Sequence, residues 1–138
     1  MLISTALQIA LHAYANKVDK AGVEYIKHPL RVMAKMHSDE AMAVALLHDV
    51  IEDSDINAQD LLAAGLPKDI VDAVCCLTKQ QDEDYFAFIR RVKTNRLATQ
   101  VKIADIEDNI NVLRLSTLSD ADLMRVQKYH RAWQLLQT

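Results

Sequence analysis

The run Ala45-Leu46-Leu47-His48-Asp49-Val50-Ile51-Glu52-Asp53 sets one imidazole and three carboxylates into an otherwise apolar, helix-forming segment. On a continuous helix the pairs His48/Glu52 and Asp49/Asp53, each four residues apart, share a face. Burying such groups costs several kcal/mol unless a charge or a metal ion compensates them. His48 and Asp49 therefore read as metal ligands, and Glu52 and Asp53 remain for proton chemistry. The competing reading is a helix end turning into a solvated loop, and it fits Ser54 and Asp55. Two distant segments favour the ligand reading. In Tyr25-Ile26-Lys27-His28-Pro29, the proline suits the first position of a helix, which puts His28 at its N-cap. In Val101-Lys102-Ile103-Ala104-Asp105-Ile106-Glu107-Asp108-Asn109, Asp105 and Asn109 are again four apart on an apolar segment. His28, His48, Asp49 and Asp105 would form a mixed nitrogen–oxygen set suited to a divalent transition ion such as manganese, iron or zinc.

Three separate elements must bring these residues together. The chain has 138 residues, 51% of them hydrophobic, enough for one domain (1–138) with a real core. Two glycines, two prolines and an abundance of the helix formers Ala and Leu leave little room for hairpins or linkers, so the fold is expected to be all-α. Periodicity and end signals predict helices over Leu2–Val18, Pro29–Met36, Glu40–Glu52 with Ser38 as cap, Asn57 to Gly65, Pro67–Thr78, Tyr85–Lys93, Leu97–Leu115 and Asp120–Gln137. Asp19–Gly22 and Gln80–Asp84 read as loops.

The net charge of −3 indicates no nucleic-acid surface, and no apolar run approaches a membrane span. The start lacks the basic and apolar regions of a signal peptide. Cys75 and Cys76, adjacent in an apolar helical run, read as reduced core thiols of a cytoplasmic protein. His12 reads as a core or edge residue, His37 and His130 as solvent-facing. Trp133, Leu135 and Leu136 read as a core stripe, and Arg90, Arg91 and Lys93 as a solvated basic face.

The chain resembles the HD-domain phosphohydrolases, and within them the hydrolases of the alarmones ppGpp and pppGpp. The resemblance rests on Tyr25-Ile26-Lys27-His28-Pro29, on Leu47-His48-Asp49-Val50-Ile51-Glu52-Asp53-Ser54-Asp55, on Leu77-Thr78-Lys79, and on Lys102-Ile103-Ala104-Asp105 with Asn109. Arg125-Val126-Gln127-Lys128-Tyr129 is similar to the metazoan member. The likeness runs from about residue 5 to about residue 135. It implies a single-domain HD-type helical bundle that uses manganese, or another divalent transition metal, to remove the 3′-diphosphate of a small nucleotide. It gives Glu52 and Asp53 the catalytic role and Lys20, Asn109, Arg125 and Tyr129 the substrate contacts. The chain departs from the long enzymes before His28, where their Arg-Lys pair is Asp19-Lys20, so adenine alarmones enter beside guanine ones. The long enzymes also append a synthetase and regulatory domains, for which 138 residues leave no room. The rival readings are another nucleotide phosphohydrolase, such as a 5′-nucleotidase or an NADPH phosphatase, and a metal-bearing nucleotide sensor without turnover. Monomer and homodimer both stay open.

Overall fold

A computed structural model describes all residues, Met1–Thr138, and every regular element in it is helical. The order is α1 (Leu2–Ala13), α2 (Lys27–Ala34), α3 (Asp39–Leu47), α4 (Val50–Asp53), α5 (Ala58–Ala63), α6 (Lys68–Cys76), α7 (Tyr85–Val92), α8 (Arg96–Asn109), a short 3-10 turn (Val112–Arg114) and α9 (Asp120–Gln137).

Helix α3 is the axis of the bundle. Ala41, Ala43, Val44, Ala45, Leu46 and Leu47 are all buried, so it is apolar all round, as a helix surrounded by others must be. Helices α1, α2, α6 and α8 pack about it. Alanines at the contacts (Ala6, Ala10 and Ala13 on α1; Ala98 and Ala104 on α8) have little side chain to hold the backbones apart. The C-terminal end of α3 thereby comes to lie beside α2 and α8, and those three ends carry the candidate ligands.

Local chemistry sets most boundaries. Ser38, Asn57, Asp84, Asn95 and Ser119 each cap the following helix through a side-chain oxygen, and Asn57 and Ser119 complete reciprocal capping boxes with Asp60 and Asp122. Gly65, with φ +93°, follows α5 in a conformation that a side chain would strain.

Several expected boundaries move. Helix α1 stops at Ala13, short of Val18, because Asn16 takes a left-handed φ of 65° and turns the chain into the Val18–Glu24 loop. The predicted Glu40–Glu52 helix breaks at His48–Asp49, where Asp49 has φ −107° and ψ 4°; α4 restarts at Val50. His28 is not an N-cap: Lys27 and His28 N–H groups already bond to Glu24 and Tyr25 carbonyls, so α2 begins two residues earlier, at Lys27, and Pro29 falls within its first turn. Helix α8 ends at Asn109 instead of Leu115, and Pro67 precedes α6 as its cap residue. His12 is exposed, not a core or edge residue, whereas His37 and His130 face solvent as expected.

Asn95 caps the helix that delivers Asp105, accepting the Ala98 N–H at 2.9 Å. Asn95→Ala should lower the unfolding free energy in urea by about 1 kcal/mol. A stability unchanged within error would mean that the cap contributes nothing to α8.

Candidate metal and nucleotide site

His28 from α2, His48 and Asp49 from the α3–α4 break, and Asp105 from α8 each offer one ligand atom, and the four atoms lie within 4.8 Å of one another. His28, His48 and Asp105 are 4%, 2% and 4% exposed, so the cluster is part of the protein interior. The break after α3 matters here. It swings Asp49 beside its neighbour, with Asp49 Oδ2 3.0 Å from His48 Nε2, which a regular helix would not do for adjacent residues.

Each imidazole is oriented by a bond at its other nitrogen. His48 Nδ1 lies 2.6 Å from the Ala45 carbonyl, a partner that can only accept, so Nδ1 carries hydrogen and Nε2 faces the cluster. That Nε2 is buried and makes no hydrogen bond. His28 Nδ1 lies 2.6 Å from Asp108 Oδ2, and its Nε2 lies 2.8 Å from Asp105 Oδ1. Asp108 is gripped in turn by Arg31 through Nε at 2.7 Å and Nη2 at 2.9 Å. A carboxylate behind a ligating histidine is the usual means of fixing its tautomer and raising its basicity. Tyr25 donates its hydroxyl to Asp49, and the Asp49 N–H donates to Tyr14 Oη at 3.2 Å. Lys102 Nζ, at 2.9 Å from Asp105 Oδ2, and Asn109 Nδ2, at 2.9 Å from Asp105 Oδ1, complete the surround.

The charges are mutually dependent. Burial alone would lower the pKa of both histidines, but Asp105 and Asp108 raise that of His28, and Asp49 and Asp105 raise that of His48 well above its ordinary value. Burial likewise opposes ionisation of Asp105, yet Lys102 and the two histidines hold it well below the usual carboxylate range. An orphaned buried nitrogen among two carboxylates and a second imidazole, with all four candidate donor atoms within 4.8 Å of one another, fits a divalent transition ion.

Glu52 and Asp53 lie on α4, exposed at the rim of the cluster. Burial raises the pKa of both, with Asp49 adding its repulsion. The Lys79 N–H donates to Glu52 Oε1 at 2.6 Å, so the Leu77-Thr78-Lys79 motif meets the Glu52 carboxylate through its backbone. Lys20, Asn109, Arg125 and Tyr129 line one cleft of about 280 Å³, together with Tyr25 and Arg114. Because Tyr25 and Asn109 also bond Asp49 and Asp105, the cleft opens directly onto the cluster. Arg125 is paired there with Asp122. Asp19 turns its carboxylate inward onto the Ala21 and Val23 N–H groups at 2.8 and 3.0 Å and meets Arg114 Nη1 at 3.4 Å. Residue 19 thus shapes its loop, and Arg114 brings a cation to the cleft from the other side.

Sequence reasoning missed Asp108, Arg31, Tyr14 and Arg114. Only Asp108 carried a signal, one turn from Asp105 on the same helix. Arg91 belongs to no solvated basic face: it folds back onto the loop after α6, while Arg90 and Lys93 are exposed. Trp133 and Leu135 pack partly buried against the core, with Leu136 fully inside it.

The bundle and its imidazole–carboxylate cluster define an HD-type helical domain. No family model matches the chain. It is 31% identical to a guanosine-3′,5′-bis(diphosphate) 3′-pyrophosphohydrolase of Vibrio cholerae and 32% identical to that of Haemophilus influenzae. Each alignment covers 76% of this chain but only 17% and 18% of those proteins, so the chain spans less than a fifth of their length. A solved structure of a metazoan ortholog of SpoT that hydrolyzes ppGpp superposes with a TM-score of 0.77 and 21% identity, over 97% of this chain and 84% of the other. The chain thus shares the HD-type helical fold of that ortholog and is similar in sequence to a short stretch of the two pyrophosphohydrolases.

Asp49, Asp105 and Asp108 raise the pKa of the two histidines against the effect of burial, so an entering ion competes with protons for the imidazole nitrogens. Apparent affinity for Mn²⁺ should therefore weaken as the pH falls from about 8 to about 6, with protons released on binding. Calorimetric titration in two buffers of different ionisation enthalpy measures both, and a pH-independent affinity without proton release would contradict the ligand set. Asp108→Asn should weaken binding by about ten- to hundredfold without abolishing it, whereas Asp105→Ala should abolish it.

Proposed function

We propose that this chain is a metal-dependent pyrophosphohydrolase that removes the 3′-diphosphate of (p)ppGpp-type alarmones, guanine or adenine, yielding GDP or GTP (or the adenine equivalents) and pyrophosphate. The observation that carries the reading is the junction of the buried four-ligand cluster with a cleft lined by cations and donors. The curated relatives bear the name of this reaction.

His28, His48, Asp49 and Asp105 would hold the ion, with manganese the favoured metal. When bound, such an ion lowers the pKa of a coordinated water and withdraws charge from the attacked phosphorus. Arg125 and Lys20 supply positive charge for the phosphates, the guanidinium as a planar fork, while Asn109 and Tyr129 supply further hydrogen bonds. Water attacks the phosphorus bonded to the ribose O3′ and the P–O3′ bond breaks. A carboxylate with a raised pKa can exchange protons nearer neutrality than an ordinary one. Glu52 and Asp53 therefore share the proton work, one taking the proton of the water and the other delivering one to O3′. Tyr25 and Tyr14 keep Asp49 in place. We place the activity in the cytoplasm, consistent with two unpaired cysteines; no helix is long and apolar enough to cross a membrane.

The deciding assay incubates the purified chain with ppGpp, pppGpp, ppApp and NADPH, with and without Mn²⁺. Pyrophosphate should appear from the alarmones alone and only with metal. Release of orthophosphate from NADPH would make it a phosphatase, and binding of ppGpp without turnover would make it a sensor. The double variant Glu52→Gln/Asp53→Asn should retain one ion per chain yet lose turnover; loss of the ion would instead make these residues ligands. Arg125→Ala should raise KM for ppGpp roughly tenfold with metal content unchanged, and Arg125→Lys should recover part of that loss. Unchanged kinetics would remove α9 from the substrate site.

A further inference from the structure

Arg91 directs four side-chain hydrogen bonds back into the protein. Its Nε and Nη2 meet Glu83 Oε2 and Oε1 at 2.9 and 2.8 Å, while Nη1 and Nη2 donate to the Cys76 and Thr78 carbonyls at 3.1 and 2.9 Å. Its guanidinium also lies 5.4 Å from the Phe88 ring centroid. The Gln80 N–H donates to the same Glu83 oxygen at 3.0 Å. A planar fork with several donors can hold two carbonyls and a carboxylate at once, which an ammonium cannot. The guanidinium, aided by the Gln80 N–H, draws the Glu83 carboxyl down to about 2, so the pair stays charged throughout the neutral range.

What is clamped is the stretch from the end of α6 to Gln80, which has no helix or strand to hold it. Cys76, Thr78 and Gln80 are fixed directly or through Glu83. Between the last two lies Lys79, whose N–H makes the one hydrogen bond received by the Glu52 carboxylate. Neither Arg91 nor Glu83 lines the nucleotide cleft. We infer that Arg91 is a positioning residue: by clamping the Cys76–Gln80 segment it fixes the Lys79 N–H that orients Glu52, without touching substrate or metal. The inference rests on Glu52 acting in the reaction proposed above.

The test uses the full chain loaded with Mn²⁺ and ppGpp as substrate. Arg91→Met and Arg91→Lys should each lower kcat by about ten- to hundredfold, the scale on which small misplacements of reacting groups act. KM and metal stoichiometry should stay within about twofold. Arg91→Lys keeps the charge and most of the volume, so it carries the test if Arg91→Met does not fold. The decisive comparison places Arg91→Lys in a Glu52→Asp background, where the shortened carboxylate no longer reaches the Lys79 N–H. There the Arg91 change should cost little more, because the contact it maintains is already gone. Full additivity of the two losses, or an unchanged kcat in Arg91→Lys, would overturn the inference. A Glu52→Asp variant with undiminished kcat would instead overturn the role given to Glu52 itself.

Discussion

Everything in this fold answers to one electrostatic constraint: two imidazoles and two carboxylates meet where almost no water reaches. Isolated ionised groups in such a place are prohibitively costly, so the cluster exists only because its members compensate one another. The His48 Nε2 atom exposes the constraint most clearly. Its ring is locked by the Ala45 carbonyl, it is 2% exposed, and it has two carboxylate oxygens at 3.0 and 3.3 Å but no hydrogen bond of good geometry. A single cation at the centre would satisfy that nitrogen and the facing carboxylates together.

The surrounding layer makes sense as support for that centre. Asp108 and Arg31 hold His28, Tyr25 and Tyr14 hold Asp49, and Lys102 with Asn109 holds Asp105. Each contact joins different stretches of chain or successive turns of α8, so the packing of α2, α3 and α8 and the geometry of the site are one problem. The apolar axis α3 delivers the candidate ligand His48, and its interruption at His48–Asp49 brings Asp49 into the same cluster.

The sequence made much of this legible. Helical periodicity with sparse glycine and proline announced an all-α bundle, and the short-range capping signals at Ser38, Asn57 and Ser119 marked real helix starts. His28, His48, Asp49 and Asp105 stood out because charged groups at core spacing are rare enough to need a reason. The helix break was invisible because nothing in Leu-His-Asp-Val forbids continuing the turn; tertiary demands on Asp49 impose it. Arg31 and Arg114 look like ordinary surface cations, and only the fold reveals that one grips Asp108 and the other faces Asp19 across the cleft. Arg91 was misread for the same reason, since a basic run on an amphipathic helix does not disclose which member folds inward.

The central claim is that both imidazoles coordinate one ion through Nε2. Pulsed electron paramagnetic resonance of Mn²⁺ bound to the purified chain tests it directly, because nitrogens bonded to the metal modulate the electron spin echo. The account predicts couplings from two imidazole nitrogens at a single Mn²⁺ per chain, one of them lost in His28→Gln and the other in His48→Gln. A bound Mn²⁺ with no directly coordinated nitrogen would contradict it.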